Sequence, residues 1–140
     1  MDYAAILKFR NDMNPFAQML HIHATDLTEG YARAEMPVSD ELYNPQGSVH
    51  GGVLYTLADI ACGNAAASHG IWIATLDSNM NYLRPAMRPT LLVAEARELK
   101  YGKRVSVYEV KVMDQSGTVL AAGTFTFASL GRKILEDTEE

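Results

Sequence analysis

The chain has 140 residues and a net charge of −5, with 48% hydrophobic and 21% charged residues. This length fits one domain with a real core, no apolar run approaches the ~20 residues of a membrane span, and the negative charge argues against a general nucleic-acid binder. We therefore expect a single domain over residues 1–140 without nucleic-acid or membrane partners. Because the first residues lack the basic and hydrophobic stretches of a secretory signal, we also expect a cytoplasmic location.

The chain begins with a helical leader over about residues 4–20. Proline disfavours helical geometry in the residue before it, and it suits the first turn of a new helix. The pair Asn14-Pro15 therefore predicts a leader in two parts.

Extended structure is expected next, over residues 22–38. Glu29-Gly30 separates two runs of strand character there, which predicts a hairpin. Residues 39–49 are rich in Asn, Pro, Gln, Gly and Ser and form a long loop, and long loops in compact domains are often functional.

Residues 51–69 predict the long helix of the chain. They contain no proline, and Gly70 stands where a helix-ending glycine is expected. Between His50 and His69 the sole charged residue is Asp59. Because no polar stripe exists, we expect the helix to be buried around most of its circumference and wrapped by the rest of the chain.

Four segments of strand character follow, at residues 71–83, 91–100, 105–113 and 119–128. The separators after the second and third segments resemble tight hairpin turns, which favour antiparallel neighbours. A hairpin, a long helix and a meander indicate an α+β fold, with an antiparallel sheet of five or six strands around the helix. The acidic tail over residues 134–140 is expected to fray.

Basic residues are concentrated in one part of this acidic chain. Six of the twelve lie between Arg84 and Arg104. A small polyanionic ligand would find its counter-charge there, and a solvated strand surface is the alternative interpretation.

Asp59 is the first candidate for chemistry, because a carboxylate in an uncharged helix is costly to bury unless it is paired, hydrogen-bonded or used. Cys62, Gly63 and Ala66 share its helical face, and their small size leaves room for another chain or a ligand to approach. A purely structural carboxylate remains the alternative. Cys62, the single cysteine, is interpreted as a buried small hydrophobe.

The run NPQGSVHGG at residues 44–52 leads directly into the helix. Its glycines permit close backbone approach, and the N–H groups of a first helical turn suit an oxygen that becomes negatively charged, such as that of a thioester carbonyl under attack. Neither a phosphate-binding loop motif nor a G-x-S-x-G elbow is present. The other histidines lack metal-ligand spacing to His50, so we expect no metal and interpret His50 as a hydrogen-bonding support of the loop.

Taken together, residues 44–59, NPQGSVHGGVLYTLAD, resemble the signature of the phenylacetic-acid-degradation (PaaI) thioesterase group of the hotdog superfamily. TLDSNMNYLRPA at residues 75–86 resembles the following strand of that family, and KYGKRV at residues 100–105 resembles its next turn. The resemblance extends over about residues 14–129.

The resemblance implies a hotdog fold, in which an antiparallel sheet wraps a long helix. It implies hydrolysis of an acyl-coenzyme A (acyl-CoA) thioester with an aryl, phenylacetyl-type or medium-chain acyl group, and no separate cofactor, because CoA is part of the substrate. It also implies a homodimer with the site at the interface, often assembled into a homotetramer.

By the same resemblance, Asp59 is the general base or nucleophile and Gly51 the backbone donor to the thioester oxygen. Asn44 is a polar group near the reacting water or carbonyl, His50 supports the loop, and Thr75 of a second subunit helps to place the water. The expected CoA contacts are Tyr82, Arg84, Pro85, Lys100, Lys103 and Arg104.

Two other functions stay open from sequence, because a fold does not fix a function. One is a hydratase or dehydratase acting on CoA thioesters, although the acid/base pattern expected of those relatives is not seen here. The other is an acyl-CoA sensor without catalysis, which would be expected to have lost Asp59.

Overall fold

A computed structural model describes residues 1–136 of the chain. The elements in chain order are α1 (Tyr3–Asp12), α2 (Pro15–Met19), β1 (His23–Thr28), β2 (Tyr31–Pro37), a 3-10 turn (Asp40–Leu42), α3 (Gly51–Ala67), β3 (Ile71–Tyr82), β4 (Leu91–Tyr101), β5 (Val105–Asp114) and β6 (Val119–Lys133). No helix among these residues is both long and apolar enough to cross a bilayer.

The leader is broken where the sequence predicted. Asp2 caps α1 by accepting from the amide of Ala5, and Asn14 caps α2 by accepting from the amide of Ala17, with Pro15 at the first helical position. Each cap satisfies an amide that has no partner within its helix. The leader therefore consists of two separate helices.

The six strands form one antiparallel sheet in the order β1-β2-β4-β5-β6-β3. Its inner face carries the large buried side chains, among them Met36, Leu92, Tyr108, Phe125 and Phe127. Burying a large apolar side chain stabilises a fold by roughly 1.5–3 kcal/mol, so this face supplies much of the driving force for folding. The predicted α+β class and the upper of the two strand counts are confirmed.

Helix α3 packs across the inner face and contacts β2, β4 and β5. Every residue from 61 to 67 is buried. The expectation of burial around most of the circumference is wrong for the first half, where Tyr55, Thr56, Asp59 and Ile60 are only half-buried. Because these residues are three or four positions apart, they form one open face of the helix.

Two boundaries differ from the sequence prediction. α3 ends at Ala67, and Gly70 then adopts a φ of +79°, a conformation that glycine tolerates best. β6 continues to Lys133, five residues beyond its predicted end, because its last residues pair with Ile71 at the start of β3. Ile134 is buried and its amide donates to Gly70, so the predicted fraying does not begin there; residues 137–140 lie outside the described part.

Strand β3 lies at one edge of the sheet and is 12 residues long. Its stretch from Ala74 to Asp77 is exposed, including Leu76 at 59% exposure, and Asp77 is its one charged residue. A long and nearly uncharged edge offers a row of unpaired backbone groups to another strand. This edge is therefore the part of the sheet best suited to pair with a second chain.

Candidate active site

Asp59 lies in the middle of α3 on its open face, half-buried. The hydroxyl of Thr75 on β3 donates to its Oδ1 over 3.4 Å, a long and therefore weak hydrogen bond. Burial raises the pKa of the Asp59 carboxyl, and both the Thr75 hydrogen bond and the positive charge of Arg10 act in the lowering direction. A carboxylate whose pKa moves upward becomes a stronger base, as general-base catalysis requires.

The Asp59 carboxylate faces a cleft of about 450 Å³ with aromatic walls. Phe16 of α2, Tyr55 of α3 and Phe125 of β6 contribute these walls. The rings of Tyr55 and Phe125 meet edge to face at 5.5 Å, and the Tyr55 hydroxyl is hydrogen-bonded to the Ser78 hydroxyl. The cleft thus places apolar surface directly beside the carboxylate.

Gly51 begins α3, and its amide makes no hydrogen bond with any residue from 1 to 136. His50 caps the helix, because its Nδ1 accepts from the amide of Gly52 at 2.9 Å. The Tyr82 hydroxyl donates to the Gly51 carbonyl at 3.1 Å, so the end of β3 holds the start of α3. This arrangement leaves the Gly51 N–H available to an acceptor, and it places His50 at the start of α3 as the capping residue.

Asn44 organises the loop before α3. Its Oδ1 accepts from the amides of Gln46 and Ser48, at 3.0 and 3.1 Å, and its Nδ2 donates to the Ser48 hydroxyl at 2.9 Å. The side chain therefore holds the loop that places Gly51. It also lines a second cleft, of about 250 Å³, together with Gly51, Tyr82, Arg84 and Pro85.

The structure divides the predicted site into two parts. The Gly51 part contains Asn44, His50, Gly51, Tyr82, Arg84 and Pro85, and the Asp59 part contains Asp59 and Thr75. Asp59 lies eight positions after Gly51 along the α-helix, a rise of roughly 12 Å. That separation is too long for the Gly51 N–H and the carboxylate of one chain to act on the same carbonyl.

One detail differs from the expectation. Thr75 was expected to reach the site from a second subunit, whereas its hydroxyl contacts Asp59 of its own chain. The two residues meet because α3 and β3 run in opposite directions, so that Gly51 lies beside Tyr82 at one end and Asp59 beside Thr75 farther along.

The segment from the end of β4 into the turn before β5 carries Lys100, Lys103 and Arg104, all of them exposed. Backbone pairing places it level with the Asp59 part, since Ser106 pairs with Phe127 and Phe127 with Thr75. Tyr82 instead pairs with Ala121, six residues or about 20 Å along β6. Within one chain the two predicted sets of CoA contacts are therefore apart.

Arg10 is a residue of this region that the sequence analysis missed. Its side chain reaches α3 from the leader and acts electrostatically on Asp59. Gly63 was a visible signal, since a small residue one helical turn beyond Asp59 admits an approaching group. Nothing in the sequence identified that group as part of the leader.

Among residues 1–136, no three His, Cys, Asp or Glu side chains are grouped so as to hold a metal ion. Cys62 is completely buried, and burial raises the pKa of its thiol. A thiol in that state is a poor nucleophile, so the interpretation of Cys62 as a core residue is confirmed.

Residues 46–121, more than half of the chain, match the sequence model of the thioesterase superfamily. The chain belongs to the thioesterase superfamily. The acyl-coenzyme A thioesterase PaaI of Escherichia coli is 31% identical over 105 residues, which cover 75% of this chain and 75% of that protein. A putative esterase of Archaeoglobus fulgidus is 31% identical over 113 residues, 81% of this chain and 72% of the relative.

Solved structures of thioesterase relatives have the same fold. The structure of E. coli PaaI superposes with a TM-score of 0.90 at 26% identity, covering 95% of this chain and 96% of that one. A Streptococcus mutans protein bound to acetyl-CoA superposes with a TM-score of 0.75 at 28% identity, covering 80% and 90%. The predicted hotdog fold, the PaaI-like resemblance and the assignment to an enzyme of the thioesterase class are confirmed.

Proposed function

We propose that this protein hydrolyses an acyl-CoA thioester to a free acid and CoA at Asp59. The observation that carries the proposal is the half-buried Asp59 carboxylate, with its raised pKa, on the wall of an aromatic cleft. Membership of the thioesterase superfamily gives the reaction class. The acyl-CoA substrate is taken from the PaaI relative and from the related structure that holds acetyl-CoA.

A complete site in this proposal combines two copies of the chain. Antiparallel pairing of two β3 strands reverses their order, so the Tyr82 end of one strand comes beside the Thr75 end of the other. The Gly51 part of one protomer then faces the Asp59 part of its partner. The roughly 12 Å that separates Gly51 from Asp59 within one chain supports this arrangement.

The reaction begins with the Asp59 carboxylate either removing a proton from water or attacking the thioester carbon directly. In the first route, the water oxygen bonds to the carbonyl carbon and its proton passes to Asp59. The carbonyl oxygen becomes an oxyanion that accepts a hydrogen bond from the free Gly51 N–H, a contact worth roughly 3–4 kcal/mol in the transition state. The C–S bond then breaks, and the proton on Asp59 neutralises the CoA thiolate.

The hydrogen bond from Thr75 makes the two oxygens of the Asp59 carboxylate inequivalent. Its hydroxyl donates to Oδ1 of Asp59, which leaves Oδ2 for the water or the substrate carbon. The hydrogen bond also restrains rotation of the carboxylate, and orientation of this type lowers the entropic part of a barrier.

In this proposal the basic residues between Arg84 and Arg104 bind the phosphates of CoA. Arg84, Lys103 and Arg104 are exposed and form no ion pair with any residue from 1 to 136. In the proposed dimer, Arg84 of one protomer approaches the segment over residues 100–104 of its partner. The two sets of CoA contacts, which lie apart in one chain, then lie together.

The acyl group occupies the aromatic cleft beside Asp59 in this proposal. Phe16, Tyr55 and Phe125 offer ring edges and faces to a planar group. We therefore place aryl and phenylacetyl-type thioesters ahead of medium-chain ones.

The test is thioester hydrolysis by the wild type and Asp59→Asn over aryl- and fatty-acyl-CoA substrates, followed through the released thiol. We expect wild-type turnover and a loss of about a hundredfold or more in Asp59→Asn. Asp26→Asn is the matched control, because it removes the same charge from an exposed position on β1.

Other outcomes would overturn the proposal in different ways. Full activity in Asp59→Asn would remove this residue from the mechanism. Binding of acyl-CoA without turnover by the wild type would instead indicate a sensor. Hydration of an enoyl thioester without hydrolysis would indicate a hydratase.

A further inference from the structure

Arg10 attaches the leader helix α1 to the middle of α3. Its Nε donates to Oδ1 of Asn64 at 2.8 Å, and Nδ2 of Asn64 donates to the Ile60 carbonyl at 2.9 Å. The second bond fixes the Asn64 amide so that its oxygen faces α1. Gly63 provides the space, because a Cβ there would lie 3.3 Å from a terminal nitrogen of Arg10.

Further contacts fix the position of α1 independently. The rings of Phe9 and Trp72 meet edge to face at 5.9 Å. Asn11 bonds to both backbone groups of Ala24, accepting from the amide at 3.0 Å and donating to the carbonyl at 2.9 Å. The guanidinium of Arg10 is therefore placed by packing on both sides of its own helix.

Asp59 lies one helical turn before Gly63, so the carboxylate and the guanidinium share one face of α3. The groups that act on Asp59 are Arg10 from α1 and Thr75 from β3, while Tyr55 and Cys62 are its neighbours on α3. Arg10 is the charged one among them. Burial is the largest effect and leaves the pKa of the Asp59 carboxyl raised, while the Thr75 hydrogen bond and the Arg10 charge both act against that rise.

The two charges form no direct ion pair, since no salt bridge joins Arg10 to Asp59 in residues 1–136. A direct pair would occupy an oxygen that the reaction needs. A cation held nearby by Asn64 favours the ionised carboxylate without occupying Oδ2, the oxygen that the Thr75 hydroxyl does not bind.

We propose that Arg10 is a positioning residue of the active site, whose charge, fixed against α3 by Asn64 at Gly63, favours the ionised form of Asp59 and so extends hydrolysis to lower pH. The effect on hydrolysis rests on the proposed thioesterase function. The effect on Asp59 itself does not. The leader also contributes Asn14 and Phe16 to the cleft at Asp59, so it belongs to the site in two ways.

The experiment combines two measurements on the wild type and Arg10→Met. The first is a ¹³C NMR titration of aspartate side-chain carboxyls, in which Asp59→Asn identifies the Asp59 signal. The second is the pH profile of kcat/KM for thioester hydrolysis. In Arg10→Met we expect the Asp59 midpoint and the acid limb of the profile to move together to higher pH. On the acid limb kcat/KM should fall about three- to tenfold, with little change on the plateau.

Three other variants separate charge from structure. Lys8→Met removes an exposed cation of the same helix and should leave both midpoints unchanged. Arg10→Lys keeps the charge but lacks the Nε donor, so it should shift both midpoints less than Arg10→Met does. Asn64→Ala keeps Arg10 but releases it, and it should shift both midpoints in the Arg10→Met direction even if Arg10→Met does not fold.

The proposal would be overturned if the midpoint of the Asp59 titration were the same in the wild type, Arg10→Met and Asn64→Ala. A moved NMR midpoint with an unmoved pH profile would overturn its claim about hydrolysis. If the wild type hydrolyses no thioester, the proposed function fails, while the NMR titration still decides whether Arg10 controls the ionisation of Asp59.

Discussion

Ionisation of Asp59 works against the folded state. Burial raises the pKa of this carboxyl above its usual value of 3.8, so the folded protein binds the proton more tightly than the unfolded chain. The stability linked to the protonated form is present at low pH and is lost as the pH rises through the folded pKa. The residue that we propose as the base or nucleophile thus weakens the structure that holds it.

Asp59→Asn should therefore stabilise the fold at neutral pH while it abolishes activity. Asparagine has a similar shape and cannot ionise, so we expect the melting temperature near pH 7.5 to rise by on the order of 2 °C. Below the ordinary pKa of 3.8, where the carboxyl is protonated in both the folded and the unfolded wild type, the difference should disappear. Calorimetry of both proteins across this range is the measurement, and a lower melting temperature for Asp59→Asn at pH 7.5 would contradict the argument.

The candidate site residues that the sequence singled out are those with a local signature. Asp59 stands out because it is the sole charge in an apolar helix, and Gly51 because it starts that helix. The contact between Thr75 and Asp59 inside one chain depends on how β3 packs along α3. Tertiary packing of this kind leaves no local signal in the sequence. Arg10 was missed for the same reason, since 53 positions separate it from Gly63 in the sequence and only the packing of the leader brings them together.

At the scale of elements, the sequence predicted the order and type of every helix and strand that positions the site. Turn residues such as Asn14-Pro15 and the glycine after α3 are local signals with a steric cause. The end of β6 was wrong because pairing with β3 extends that strand past its own pattern. The half-open face of α3 was also missed, since hydrophobic composition predicts burial without saying what covers the helix.

Strand β3 gives the element-scale prediction. Asn79→Lys places a cation near the middle of the exposed edge, and in a two-fold pairing the two lysines lie close to each other across the interface. We expect monomers by light scattering after gel filtration, together with a loss of at least about tenfold in specific activity.

His23→Lys is the control for this variant, because it adds the same charge to β1 at the opposite edge of the sheet. It should leave both the mass and the activity unchanged. A wild-type mass and activity in Asn79→Lys, with His23→Lys equally normal, would exclude β3 as the contact between protomers.

At the scale of the whole molecule, two defective chains should restore each other. Gly51→Pro removes the proposed oxyanion donor, and proline is well tolerated at the first position of a helix. The preceding His50 already has a ψ of 134°, which suits a residue before proline. Gly51→Ala is its matched control, because it also adds a Cβ toward the Tyr82 ring, at 3.2 Å, but keeps the N–H. Alone, Gly51→Pro should lose roughly a hundred- to a thousandfold in kcat and Gly51→Ala far less.

Co-refolding equal amounts of Gly51→Pro and Asp59→Asn should then recover about a quarter of the wild-type activity. Half of the dimers are mixed, and each mixed dimer contains one site with both groups intact. If the whole site lay within one chain, every site in the mixture would be defective and no activity would return. Further assembly of dimers into a tetramer stays a prediction.

The bulge in β3 has a consequence for assembly. Leu76 is an extra residue between the paired positions Thr75 and Asp77, so the strand is not uniform along its length. In a dimer joined along β3, a slip of two residues would keep every side chain on its face and much of the backbone pairing, yet would displace the two protomers by about 7 Å. Such a dimer would have the correct mass and melt cooperatively, but the Gly51 part of one protomer would not face the Asp59 part of its partner. Because the bulge at Leu76 makes the strand irregular, two copies fit together best in a single register. The yield of active enzyme on refolding then measures the fraction of dimers that formed in that register.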